Sequence, residues 1–403
     1  MTSSKWNSCA SVLLLHVLVV SFCCPPSYSQ SKPTLKAPTR TSVIDRMFAH
    51  EFNQDKTGAL TVGLVERGRL EWTKGYGFLD RRKRNPANAD TVYGIASVSK
   101  IFTGIVLLQL VERGKVHLTD KVETYFPEVN LIPTKYSWSP PITLIQLATM
   151  TAGLQESISS LDDPYGVGPP SEWQKQLIAA LPNTQYVYEP GTRRVYSNVS
   201  YSILAAALER ASGRPYIEYV RQEILNPLGM NNTCFYVSAA LAPRLATGYY
   251  IGSDGADSNV PQRQNANSGY FTPVGGLFST VSDLAKLMLF QLGYGPSSVL
   301  KTETLESAFT GLVASDADLL YGDSVGFSAV RNEHGYLIAL GHGGLRWGFT
   351  SSYEFDRSTK TGLIVLSSTS GGKAEYKQLV RRTLSRLHPE SRGGTGEPPH
   401  ESH

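Results

Sequence analysis

Ser97-Val98-Ser99-Lys100 sets a hydroxyl and an amine three residues apart at the head of an apolar run. Residues at i and i+3 share one face of a helix, so the two side chains meet if a helix begins here. A lysine held in that position and partly desolvated loses its proton near neutral pH and takes one from the serine. The same Ser-x-x-Lys spacing recurs at Ser29, Ser298 and Ser370. Those copies fall in the N-terminal tail, at a loop-to-helix junction and in a Gly-Gly turn. Only Ser97 opens a helix, expected over 97–113, that is apolar nearly all round, as in a helix buried at the centre of a domain.

Two further groups carry chemistry. Tyr196-Ser197-Asn198 follows a Pro190-Gly191 turn and precedes an apolar helix. Residues two apart point the same way in extended chain, so Tyr196 and Asn198 share a side. A nearby ammonium pushes the Tyr196 phenol toward phenolate, a base, and Asn198 can bond both the lysine and a substrate carbonyl. His342-Gly343-Gly344 is expected between strands 336–341 and 350–356. Its glycines admit a substrate backbone to a strand edge, and His342 adds a charge switchable near neutral pH. Taken singly each has a plain structural reading: Ser97 as a helix cap, Tyr196 as a packed aromatic, His342 as a turn histidine.

In the order Ser-x-x-Lys, Tyr-x-Asn, His-x-Gly, the chain resembles the serine β-lactamase/penicillin-binding-protein superfamily. Within it the likeness is to the class C branch, with its DD-peptidases and family VIII esterases. Gly75-Tyr76-Gly77, Gln109-Leu110-Val111-Glu112, Thr149-Met150-Thr151-Ala152-Gly153-Leu154, Asn226-Pro227-Leu228-Gly229-Met230 and Gly275-Gly276-Leu277-Phe278 resemble its recurrent segments. The resemblance implies Ser97 as acyl-accepting nucleophile, and Lys100 and Tyr196 as coupled bases and acids. It implies Asn198, His342, Gly344 and Leu345 on the substrate, with the Ser97 and Leu345 N–H groups as oxyanion donors. No cofactor or metal is implied. His342 stands where many members carry a lysine, which points away from β-lactams and toward esters, amides or D-amino-acid peptides. Met150 and Ala152 replace the His and Ser common in the family.

Three functions use these residues: a secreted serine acyl hydrolase, a catalytically silent member that binds or assembles, and an acyltransferase with the same site. The expected partner is a small-molecule or peptide acyl substrate. The basic residues are scattered at a net charge of +4, so no nucleic-acid binding is expected. The eight histidines are dispersed without zinc-ligand spacing. Arg81-Arg82-Lys83-Arg84 reads as a solvated turn, with dibasic processing as the alternative.

With 41% apolar and 18% charged residues, the composition is that of an ordinary globular protein. Residues 1–29 match a secretory signal, with Lys5, an apolar run over 12–22 and Ser27-Tyr28-Ser29; an uncleaved anchor is the alternative. That run is short for a membrane span, so no stable span is expected. Cleavage removes Cys9, Cys23 and Cys24 and leaves Cys234, so the secreted chain rests on its core rather than on disulfides. Asn231-Asn232-Thr233 and Asn198-Val199-Ser200 are sequons, the second expected unmodified because a glycan would block the cleft.

To position the site, residues 30–42 are expected as a linker, 43–388 as the hydrolase domain and 389–403 as a disordered tail. Strand patterns over 60–66 and 70–77 form a hairpin, helices dominate from 97 to 292, and strands return after 321. The expected fold is α+β, an α/β sandwich: a mostly antiparallel sheet from both chain ends, flanked by helices, with an inserted helical lobe. Loops 155–170 and 252–268 are long enough to shape a pocket.

Overall fold

Arg67 and Gly68 both take positive φ, 55° and 74°. Two such residues make the tight turn whose twist matches antiparallel strands. It joins β1 (Ala59–Glu66) to β2 (Arg69–Gly77). The remaining strands are β3 (Tyr93–Gly94), β4 (Tyr249–Gly252), β5 (Gly255–Asp257), β6 (Phe278–Ser279), β7 (Val313–Ala314), β8 (Tyr321–Ser324), β9 (Phe327–Arg331), β10 (Leu337–Arg346), β11 (Phe349–Asp356), β12 (Thr361–Ser367) and β13 (Thr369–Gly371). The computed structural model describes residues 39–80, 82, 84–134, 141–157, 168–259, 268–310, 313–314, 321–331 and 337–387. The expected signal and tail, and most of the 158–170 and 260–268 stretches, lie outside them.

Eight strands form one antiparallel sheet in the order β2-β1-β12-β11-β10-β9-β8-β7. Two of its strands come from the N-terminal end of the chain and six from the C-terminal part, joined where Leu60 to Val65 pair with Ser367 to Gly362. The fold is the expected α+β sandwich. Every residue of β1 and β12 is buried, because helices cover both faces. On one face α1 (Arg40–Phe52) and the C-terminal helix Tyr376–Leu387 pack Ile44, Phe48, Leu379 and Val380 against Leu60, Val62, Leu64, Leu363 and Val365. The other face meets helix Val281–Leu289 and α2 (Lys100–Glu112).

Helix α1 begins at Arg40, so the expected linker over 30–42 is wrong at its end. Thr39 caps the helix, its Oγ1 accepting from the Ser42 N–H at 3.2 Å. Those polar residues are the solvated first turn of a helix rather than a linker.

Helix α2 has the burial its composition demanded. Residues Lys100 to Leu110 are all buried, and each large apolar side chain contributes about 1.5–3 kcal/mol to holding it in place. Helix Asn198–Ser212 packs against it in the inserted lobe. Tyr201 ties that lobe to the sheet: its hydroxyl donates to Ala148 O at 2.7 Å and accepts from Gly326 N–H at 3.0 Å.

Candidate active site

The segment around Ser97 departs from the expected regular helix. Strand β3 ends at Gly94, Ala96 takes φ +47°, and residues Ala96–Ser99 form a tighter helical turn before α2 starts at Lys100. An alanine in the left-handed region costs roughly 1–2 kcal/mol and persists where neighbours over-determine it. They do so here: Ile95 N–H donates to Leu277 O at 3.0 Å, and Ile95 O accepts from Ser351 Oγ at 2.8 Å. Ser99 Oγ accepts from Leu277 N–H at 3.3 Å. Ser97 is thereby left half-buried on the wall of a cavity of about 820 Å³.

Lys100 lies beneath it, fully buried. Its Nζ stands 3.1 Å from Ser97 Oγ, 2.8 Å from the Tyr196 hydroxyl, 2.7 Å from Asn198 Oδ1 and 3.3 Å from Val274 O. Desolvation lowers its pKa from 10.5 to about 7, while the carboxylates of Glu156 and Asp323 pull the other way. The Tyr196 hydroxyl in turn donates to Ser97 Oγ at 2.8 Å. Ser97, Lys100, Tyr196 and Asn198 are thus brought together in one hydrogen-bonded cluster.

The expectation that the ammonium turns Tyr196 toward phenolate is not met. Burial raises the phenol well above its ordinary value, and its hydrogen bond with Ser97 lowers it by less. Losing water disfavours the phenolate more than nearby positive charge favours it. Tyr196 is a phenol at neutral pH.

The Thr149–Leu154 segment holds this loop. Met150 O accepts from Val195 N–H at 2.9 Å and Thr151 O from Gly191 N–H at 2.8 Å. Met150 and Ala152 are buried core residues that anchor the backbone carrying Tyr196. Nothing in the structure explains why Met and Ala in particular occupy these places. Asn198 opens its helix with Ser197 as the cap, Ser197 Oγ accepting from Ser200 N–H at 3.0 Å. Its amide is used at both ends, taking Lys100 on Oδ1 and donating from Nδ2 to Ser157 Oγ at 3.1 Å.

His342, Gly343, Gly344 and Arg346 lie inside β10, not in a loop between strands. The glycines resemble a turn in sequence, but β11 pairs with every residue from Leu340 to Arg346 and holds them extended. Strand β9 pairs with β10 only as far as Gly341. From His342 onward the other edge of β10 has no strand partner among the described residues, and it faces the Ser97 turn. Gly344 allows that approach: a Cβ there would stand 2.5 Å from Ile95 O, 2.9 Å from Ala96 Cβ and 2.3 Å from Ser351 Oγ. Leu345, one residue on, is on the cavity wall and 68% exposed.

The switchable charge expected of His342 is also absent. The ring is buried, and desolvation, with the positive charge of Lys100 next in weight, lowers its pKa to about 3. Nδ1 lies 2.6 Å from Gly343 O, which fixes the proton on that nitrogen. Nε2 is left as a buried acceptor with no partner among the described residues. His342 is neutral across the physiological range, so it is no anchor for a carboxylate.

The cavity holds charged residues the sequence reading left out: Glu156, Arg194, Lys377 and Arg381. Arg194 pairs with Asp323, and Arg381 Nε lies 3.2 Å from Glu354 Oε1. Lys377 and Arg381, four apart on an amphipathic helix, were the one legible signal, but a solvated face has the same spacing. Among the described residues there is no group of three or more His, Cys, Asp or Glu arranged to hold a metal.

An antiparallel sheet with an inserted helical lobe, and a serine set above a buried lysine at a free strand edge, define a β-lactamase-like, serine-hydrolase-type fold. A model of the beta-lactamase family matches residues 44–387, and the chain belongs to that family. Beta-lactamase-like protein 2 of Dictyostelium discoideum is 26% identical over 351 residues, covering 85% of this chain and 61% of its own length. The chain therefore spans about three fifths of that relative. The octameric penicillin-binding protein homologue from Pyrococcus abyssi matches with a TM-score of 0.72 at 24% identity, over 87% of this chain and 78% of its own. EstCE1, described as a hydrolase with promiscuous acyltransferase activity, matches with a TM-score of 0.73 at 20% identity, over 86% of this chain and 98% of its own. Likeness at these identities concerns the fold.

Proposed function

We propose that the protein is a serine acyl hydrolase working through an acyl-enzyme on Ser97. One observation carries the reading: the amine of a fully buried Lys100 lies 3.1 Å from Ser97 Oγ, where desolvation lowers its pKa to about 7. The free amine takes the Ser97 proton as Oγ attacks a carbonyl, and Tyr196, a phenol bonded to both, relays protons between the amine and the leaving group. The Ser97 and Leu345 N–H groups receive the oxyanion, and Asn198 holds both the lysine and the acyl group. Water then attacks the ester by the reverse route, with Lys100 again as base. Neutral His342 leaves a buried acceptor toward the substrate instead of a cation. The reading includes export, supported by the signal-like pattern of 1–29.

Intact-mass measurement after treatment with a fluorophosphonate probe tests this. The expected result is one adduct, absent in Ser97→Ala, together with loss of p-nitrophenyl ester hydrolysis by at least about 10⁴-fold. An unlabelled wild type, or an adduct that survives in the variant, would overturn the proposal.

A further inference from the structure

Two opposite, solvent-exposed charges on the wall of this cavity form no ion pair among the described residues. Glu156 is the carboxylate among the described lining residues, and it makes no ion pair or side-chain hydrogen bond with another described residue. Its backbone is fixed beside Asn198, the carbonyl accepting from Asn198 N–H at 2.8 Å, and the residue lines the cavity. It is close enough to act electrostatically on Lys100 and Tyr196.

Lys377 occupies the His342–Gly343 side. Gly343 has no side chain, and the lysine stem lies across that gap: a Cβ at 343 would stand 3.2 Å from Lys377 Cδ and Cε and 3.4 Å from Nζ. No carboxylate lies within 4 Å of that ammonium among the described residues, whereas Arg194 and Arg381 are paired with Asp323 and Glu354. Arg346 is turned inward, donating to Gly275 O at 3.2 Å. Glu156 and Lys377 do not pair with each other, and both line the cavity that holds Ser97, so a ligand in it can present a complementary charge to each.

We infer that the substrate is a short zwitterionic peptide, the dipeptide being the smallest, whose ammonium docks on Glu156 and whose carboxylate docks on Lys377. In any peptide the free ammonium belongs to the acyl part and the free carboxylate to the leaving part. Binding between the two charges therefore sets the amide carbonyl at Ser97 in one direction only. Ser97 Oγ forms a C–O bond as the amide C–N bond breaks. The serine proton passes through Lys100 and Tyr196 to the departing amine, which leaves as a free amino acid. Water hydrolyses the aminoacyl ester, releasing the second amino acid and returning the proton to Ser97.

The inference rests on the acyl-enzyme reading, and the test keeps the two apart. Full-length protein is assayed on a neutral p-nitrophenyl ester and on L- and D-dipeptides in four forms: free, N-acetylated, C-amidated and doubly blocked. The expected result is that a free dipeptide has the highest kcat/KM, each block costing about tenfold or more. Glu156→Gln reduces the preference for free over N-acetylated dipeptide by at least tenfold. Lys377→Gln does the same for free over C-amidated dipeptide. Ser97-dependent ester hydrolysis with no turnover of free dipeptide, or with equal rates for all four forms, overturns the inference while leaving the acyl-enzyme intact. Loss of ester hydrolysis and of the fluorophosphonate adduct in the wild type overturns both.

Discussion

The pH dependence of acylation by a neutral ester follows from the burial of Lys100. With its pKa lowered to about 7, half of the amine is free at pH 7. An ordinary lysine with a pKa near 10.4 would be free in fewer than about one molecule in a thousand. Desolvation therefore raises the reactive population by about three orders of magnitude, and most of that gain is already present at neutral pH. Acylation needs the free amine, so kcat/KM rises with pH: about tenfold per unit below the inflection, and level above about pH 8. A neutral ester isolates the effect, because no substrate group titrates between pH 5 and 9. His342, held near 3, adds no falling limb between 6 and 7. The Glu156 carboxylate favours the Lys100 ammonium, so Glu156→Gln moves the inflection to lower pH. Stopped-flow or steady-state rates across pH 5 to 9 give the profile. A flat profile, or one that falls as pH rises, would refute the assignment of Lys100 as base.

The same burial is a cost to the fold. A lysine whose folded pKa is lowered binds fewer protons folded than unfolded between about pH 7 and 10.5, so stability rises with pH across that window and the full penalty applies below it. At 1.36 kcal/mol per unit, Lys100→Met gains up to about 5 kcal/mol below pH 7, less whatever orphaning Asn198 Oδ1 costs, and thermal melts at pH 6 and 9 should show the larger gain at pH 6. Gly344→Ala forces β10 away from Ala96; kcat should fall by at least about tenfold, with a loss of about 1–3 kcal/mol in denaturant midpoint analysis. If the protein is exported from a eukaryotic host, peptide mapping should find glycan on exposed Asn231 and none on Asn198, which is buried and bonded to Lys100 and Ser157.

Local pattern determined a good deal. The all-apolar run after Lys100 could only be a central helix, and the strand patterns at both ends of the chain implied one shared sheet. The three motifs stood in their order along the chain, and Ser97, Lys100, Tyr196 and Asn198 do meet. Helix periodicity and strand alternation are short-range properties, and sequence carries them directly. What the tertiary structure decided were quantities that depend on neighbours distant in sequence. Pairing with β11 made a strand of the His342-Gly343-Gly344 stretch that had been expected between two strands. Desolvation by residues from several elements set the charges, leaving His342 neutral and Tyr196 a phenol. That Glu156 and Lys377, more than two hundred residues apart, line one cavity had no local signature. Residue type and spacing were enough to propose a nucleophile and its base, but protonation and specificity are properties of a buried volume that only the folded chain encloses.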